Sequence, residues 1–148
     1  LNPAISPTEL LRQAATLAEA AGVTLLLEPL NTRIDHPGMF LNNTRLALDI
    51  IEAVDSPRLQ LLFDVYHSMV MEEEMEEVLG GRMHRVGHVQ IAQAPDRNEP
   101  DPRSGEWPNV IARLQRLGYN GAIGLEYKPS LPAAASVARA REATGLSC

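Results

Sequence analysis

The sequence reads as an α/β chain of the (β/α)8, TIM-barrel type, with about four βα units that form the C-terminal half of such a barrel. Three observations carry this reading. Four short apolar runs, Val23 to Glu28, Leu59 to Asp64, Val86 to Gln90 and Ala122 to Glu126, each close on a polar side chain. Those polar positions are spaced by 36, 26 and 36 residues with a helical pattern in every interval, the rhythm of parallel strands joined by crossover helices. The third observation is length, since 148 residues suit a single core but a complete barrel takes about 250. The chain opens with Leu1 and enters a helix almost at once, so it is read as beginning part-way through a longer protein.

Ser6-Pro7-Thr8-Glu9 combines capping-box spacing with proline at the first helical position, and Leu10, Leu11, Ala14, Leu17, Ala18 and Ala21 then form an apolar stripe. Gly22 ends that helix. The first strand runs to Glu28-Pro29, where proline cannot continue a central ladder, so Asn31, Thr32, Arg33, Asp35 and His36 fall on a loop above the strand ends. A second helix starts near Asn43 or Thr44 and stops at Asp55-Ser56-Pro57, with Leu46, Ile50, Ile51 and Val54 turned to the sheet. The second strand closes on Asp64.

Met69 to Leu79 reads as one helix ended by Gly80-Gly81, and its Glu72, Glu73, Glu74, Glu76 and Glu77 read as a solvated face and not a metal site. After the third strand, Ala94 to Glu106 is a long polar loop able to close over a substrate. Trp107 to Leu117 gives another helix, and Asn120-Gly121 turns the chain into the last strand. The domain reading is a half-barrel over 1–131 and a divergent tail over 132–148, helical with a poor apolar face.

Thirteen Lys plus Arg against nineteen Asp plus Glu leave a net charge of -6, which removes the basic footprint of a nucleic-acid binder. No apolar stretch approaches the roughly 20 residues of a membrane span. The lone Cys148 cannot form an internal disulfide and suits a reducing, cytoplasmic compartment.

Strand alternation turns Leu26 with Glu28, Leu62 with Asp64, His88 with Gln90, and Gly124 with Glu126 to the inside. Oxygen donors from four neighbouring strands then converge, and such hard ligands suit a divalent cation, Mg²⁺ or Mn²⁺, better than Zn²⁺. Glu28 and Glu126, on opposite sides of the set, are the natural acid–base pair for moving a proton between neighbouring carbons of a carbonyl compound. Asp64 and Gln90 are ligands without that duty. His67, on the loop after Asp64, is placed to bond a substrate oxygen, and Arg97 and Lys128 are the cations best placed to hold a substrate carboxylate. His88 reads as a core histidine, and His36 and His84 receive no role.

At these residues the sequence resembles a known family. Leu27-Glu28-Pro29-Leu30-Asn31-Thr32-Arg33, Phe63-Asp64-Val65-Tyr66-His67, Gly87-His88-Val89-Gln90-Ile91-Ala92 and Gly124-Leu125-Glu126-Tyr127-Lys128-Pro129 are similar to the hydroxypyruvate isomerases. These belong to the xylose-isomerase-like barrels alongside the ketose 3-epimerases, which usually carry His where this chain has Gln90. The resemblance implies interconversion of hydroxypyruvate and 2-hydroxy-3-oxopropanoate, with Glu28 and Glu126 as proton donor and acceptor. It also implies Glu28, Asp64, Gln90 and Glu126 as metal ligands. Two departures stand beside it: four βα units are missing, and the tail beyond Leu131 does not look like the family's closing helix. The expected partner is a small hydroxy-keto acid, with no nucleic acid and no membrane, and either self-association or a missing N-terminal half completes the wall. A ketose or aldose epimerase and an inactive fragment serving as an assembly module are the competing readings.

Overall fold

In the computed structural model, which describes residues 5–146, a sheet of four parallel strands carries its helices on one face. Leu1 and Cys148, on which the readings of chain start and compartment rest, lie outside the described residues. Helix α1 (Pro7–Ala21) begins where Ser6 Oγ accepts the Glu9 N–H at 3.2 Å, and it ends at Gly22 in the left-handed region, which a side chain would strain. Strand β1 (Leu25–Leu27) follows, then α2 (Thr44–Val54), capped by Asn43, whose side chain accepts the Leu46 N–H at 2.8 Å. Strand β2 (Leu59–Asp64) runs directly into α3 (Val65–Val70), and α4 (Met75–Leu79) leads to β3 (Val86–Ile91). Helix α5 (Trp107–Arg116), β4 (Ile123–Leu125) and α6 (Ala133–Thr144) complete the order. Among the described residues no helix is long and apolar enough to cross a membrane.

The core lies between sheet and helices. Leu59, Leu61, Phe63, Val89 and Ile91 are buried against Leu48 and Ile51 of α2 and Trp107 and Leu114 of α5. The opposite face of the sheet is open, and Leu26 is 41% exposed. In α1 the buried side chains are Ala15 and Ala18, whereas Leu10 and Leu17 stand in solvent, the latter 73% exposed. The expected stripe is therefore corrected by about one helical step, because small alanines let α1 lie close to α2. The tail forms α6, which packs through Ser136, Ala140 and Ala143. Residues 147–148 of that tail lie outside the described part.

The single helix expected over Met69 to Leu79 is two short ones. Glu72 takes a left-handed backbone (φ 60°) between them, and Glu73 turns back to cap α2, accepting Thr44 N–H at 2.7 Å and Thr44 Oγ1–H at 2.6 Å. Glu72 pairs with Arg33 at 2.8 Å, and Glu76 pairs with Arg113. The acidic run is thus not a uniformly solvated face. Its charges tie helices and loops together.

Register decides what the strand ends share. Between β2 and β3 the pairing slips once: Leu61 faces Val86 and Leu62 faces His88, which leaves Gly87 unmatched and sets Asp64 beside Gln90. Such an extra residue re-aims every side chain beyond it. A Cβ at Gly87 would lie 2.5 Å from Gln60 Oε1, 2.8 Å from Leu26 Cδ2 and 2.9 Å from Gln60 Cβ. Gly87→Ala should therefore cost about 1–3 kcal/mol of stability, read as a lower urea midpoint. An unchanged midpoint would mean the slip tolerates a side chain.

Candidate active site at the strand ends

Glu28 follows β1, Asp64 ends β2, Gln90 lies one residue from the end of β3, and Glu126 follows β4. Each sits at the C-terminal edge of the sheet, the edge where parallel barrels carry their chemistry. Asp64 is buried and has two duties. Its Oδ1 caps α3 by accepting the Tyr66 N–H at 2.9 Å, while its Oδ2 has no hydrogen-bond partner. Glu28 Oε1 and Gln90 Oε1 are likewise buried without a partner. Among the described residues, these three oxygens make up most of the unpartnered buried side-chain N and O atoms, Arg85 Nε being the other.

Unsatisfied buried oxygens are costly, and a cluster of them is the donor set that a hard divalent cation takes. On that observation the residues present fit a metal ion. Glu28, Asp64 and His67 each offer an atom within 4.8 Å of the others'.

Electrostatics point the same way. Burial, then the charges of Asp64 and Glu126, push the Glu28 carboxyl up to about 7, with Arg97 opposing. Burial likewise raises Asp64 to about 6, against the Tyr66 N–H and Arg97, which lower it. Carboxylates held this high accept protons readily near neutrality. The His67 ring goes the other way, down to about 4, because of burial first, then Arg97 and His36.

Arg97 reaches the site from the long loop after β3, with its backbone in the left-handed region (φ 56°). Its Nη2 donates to Glu126 Oε2 at 2.9 Å and stands 3.7 Å from Asp64 Oδ2, and its guanidinium lies over the Tyr66 ring at 5.0 Å. The loop is not a free flap. Glu99 is buried and accepts Ser130 N–H at 2.8 Å and Ser130 Oγ–H at 2.7 Å, and Gln93 Oε1 accepts the Trp107 indole N–H at 2.8 Å. Lys128 stays outside the cluster, its side chain 74% exposed and its Nζ 3.9 Å from Asp35 Oδ1. His88 is half-buried on the open face and not in the core, close enough that a Cβ on Gly124 would meet its Nε2 at 2.7 Å.

Sequence reasoning missed the support beneath His67. Asn31 is wholly buried, and its N–H and side-chain Nδ2 both reach His67 Nδ1, at 3.1 and 2.7 Å. Asp35 accepts Tyr66 Oη–H at 2.5 Å and an Asn31 Nδ2–H at 2.7 Å. Burial works against the Asp35 charge, but the Asn31 and Tyr66 hydrogen bonds hold its carboxyl below the ordinary range. The available signal was a loop asparagine three residues past a strand-end carboxylate, a type that ties loop backbone together.

A family model described as xylose isomerase-like TIM barrel matches residues 7–144, taking in α6. The chain is 41% identical over 116 residues to the 2-oxo-tetronate isomerase of Cupriavidus necator, a match covering 78% of this chain and 44% of that protein. It is 36% identical over 121 residues to the hydroxypyruvate isomerase of Escherichia coli K12, covering 82% of this chain and 46% of that one. Among solved structures, one described as an AP endonuclease, family 2, from Brucella melitensis superposes with a TM-score of 0.79 at 34% identity, over 88% of this chain and 50% of that one. The chain thus spans less than half the length of these curated relatives. A match that takes in nearly every described residue, on a four-stranded parallel sheet with alternating helices, decides the family: the chain belongs to the xylose isomerase-like TIM barrels.

Proposed function

We propose that this chain carries the acid–base and metal-binding apparatus of an isomerase that interconverts hydroxypyruvate and 2-hydroxy-3-oxopropanoate. The observation that carries the reading is the trio of unpartnered buried oxygens, Glu28 Oε1, Asp64 Oδ2 and Gln90 Oε1, at neighbouring strand ends. Glu28, Asp64, Gln90 and Glu126 would hold the cation, Mg²⁺ or Mn²⁺ by the hardness of the donors. When bound, such an ion polarises a carbonyl oxygen and offsets the negative charge that develops on it.

The chain's own groups then move the protons. Glu28, half-buried and raised to about 7, exchanges a proton with one of two adjacent carbons, and Glu126 serves the other. A C–H bond breaks at the hydroxymethyl carbon, a new one forms at the former carbonyl carbon, and the hydroxyl proton passes between the two oxygens. Atoms and electrons balance without an oxidant. Arg97 is the cation at hand for the substrate carboxylate, since its guanidinium already sits against Glu126, and His67 faces the same space. Lys128 would reach a carboxylate only by leaving Asp35. A four-carbon 2-oxo acid is the second reading, favoured by the identity to the 2-oxo-tetronate isomerase.

The test is metal binding followed by turnover. Mn²⁺ should bind the chain more tightly at higher pH, by about tenfold or more between about pH 5.5 and 7.5, because Glu28 and Asp64 must lose protons held up to about 7 and 6. Asp64→Asn should weaken that affinity by at least about tenfold. Calorimetry that finds no Mn²⁺ binding, or equal binding by Asp64→Asn, removes the metal site. In a complete barrel containing this segment, the ratio of kcat/KM for the three- and four-carbon acids then decides the substrate.

A further inference from the structure

We propose that Asn31 is a positioning residue that holds His67 as the Nε2–H tautomer, so that His67 presents a hydrogen-bond donor to the site and stays out of the metal's ligand set. The part that concerns substrate rests on the isomerase reading above. Asn31 lies three residues past Glu28. Asn31 Oδ1 accepts the Ile34 N–H at 3.0 Å and the Asp35 N–H at 2.9 Å. Main-chain N–H groups donate and cannot accept, so the amide of Asn31 can stand only one way round. Its Nδ2 must therefore face the other side, where it meets Asp35 Oδ2 and His67 Nδ1, each at 2.7 Å.

His67 Nδ1 thus receives two donors, the Asn31 side chain and the Asn31 main-chain N–H at 3.1 Å. A nitrogen facing two donors has to offer its lone pair. A neutral imidazole carries one ring proton, which is then on Nε2. That nitrogen looks into the candidate site, 3.7 Å from Glu28 Oε1 and 3.7 Å from Asp64 Oδ2. Arg97 Nη2 also comes within 3.3 Å of it. With the ring proton on Nε2 both atoms are donors, so in that tautomer the 3.3 Å approach is not a hydrogen bond, and Nη2 keeps its bond to Glu126.

Metal coordination needs a lone pair on the coordinating nitrogen, which an Nε2–H lacks. Proximity alone would have put Glu28, Asp64 and His67 into one ligand set. The hydrogen-bond directions take His67 out and leave the set as Glu28, Asp64, Gln90 and Glu126, with Gln90 Oε1 one of its unpartnered oxygens. His67 instead points an N–H at the space where a substrate oxygen would gain negative charge, the geometry of an oxyanion donor. Asn31 sets that direction without touching substrate.

The experiment uses the ¹⁵N-labelled 148-residue chain and long-range imidazole correlation spectra at neutral pH, with the His67 signals identified by their loss in His67→Gln. Wild type should show a pyridine-type Nδ1 and a pyrrole-type Nε2 for His67. A pyrrole-type Nδ1, or averaged shifts, would overturn the assignment whatever the variants do. Asn31→Asp replaces the donating amide by an acceptor, and should move His67 by about tenfold or more in population towards a form protonated on Nδ1. An Asn31→Asp chain with a native-like amide spectrum and an unchanged His67 tautomer would overturn the role of the Asn31 side chain. Should that variant not fold, Mn²⁺ titration of His67→Gln decides: affinity within about threefold of wild type agrees with the proposal, and a loss beyond about tenfold contradicts it. A wild-type chain with the expected tautomer but no Mn²⁺ affinity would leave the tautomer assignment standing and count against the isomerase reading alone.

Discussion

Glu126→Gln, in a complete barrel containing this segment, should keep its fold and lose isomerisation by about 10²- to 10⁴-fold in kcat. The amide conserves size and can still accept the Arg97 hydrogen bond that Glu126 Oε2 receives at 2.9 Å. What it cannot do is exchange a proton near neutrality. Because Glu126 also belongs to the proposed ligand set, the assay is run with Mn²⁺ at saturation, so that a deficit in metal binding is not mistaken for a deficit in chemistry. Turnover above about a tenth of wild type under those conditions would take Glu126 out of the acid–base role. Glu28→Gln should fall as far, since Glu28 is the carboxyl that burial and its acidic neighbours raise to about 7.

The second large effect concerns the 148-residue chain by itself. Strands β1 and β4 are the outer strands of the sheet, and each leaves a row of main-chain donors and acceptors open to another strand. Leu26 of β1 is exposed, as are Leu10 and Leu17 of α1, and beside β4 opens an apolar cavity of ≈ 510 Å³ lined by Ile111, Leu114, Tyr119, Ile123, Leu125 and Ala140. Burying such surface gains roughly 25 cal/mol per Å², which favours association over a free monomer. Sedimentation of the purified chain should therefore show dimers or larger species at micromolar concentration, and a hydroxypyruvate assay on the same sample should show little turnover. A monodisperse, active monomer would refute both halves of this expectation.

Strand ends were legible in the sequence because they obey a simple rule, an apolar run closed by a polar residue, and Glu28, Asp64, Gln90 and Glu126 stand where that rule placed them. Helix α2 was equally legible, since Asn43 caps it and Ile50, Ile51 and Val54 face the core. Other features were set by partners distant in the chain. Glu73 leaves the expected helix because Thr44 offers it two donors, and no local pattern announces that. The slip at Gly87 depends on Gln60 and Leu26 across the sheet. Asn31 looked like an ordinary loop residue, and its importance appears only once His67 is folded over it. In α1 the expected stripe mixed leucine with alanine, and it is Ala15 and Ala18 that are buried, where small side chains allow close approach to α2.

The sheet order β1-β2-β3-β4 follows the chain, so each new strand docks on the strand made just before it. For a ribosome this is a favourable order of work, because within this sheet no pairing waits for a strand encoded more than one crossover downstream. Glu28, Asp64 and Gln90 are made first, and the next segment to emerge brings Arg97. Glu126 arrives last, onto a cation already in place. The order of synthesis thus sets one guanidinium among three carboxylates, Glu28, Asp64 and Glu126, and adds the most exposed of them after the cation that receives it.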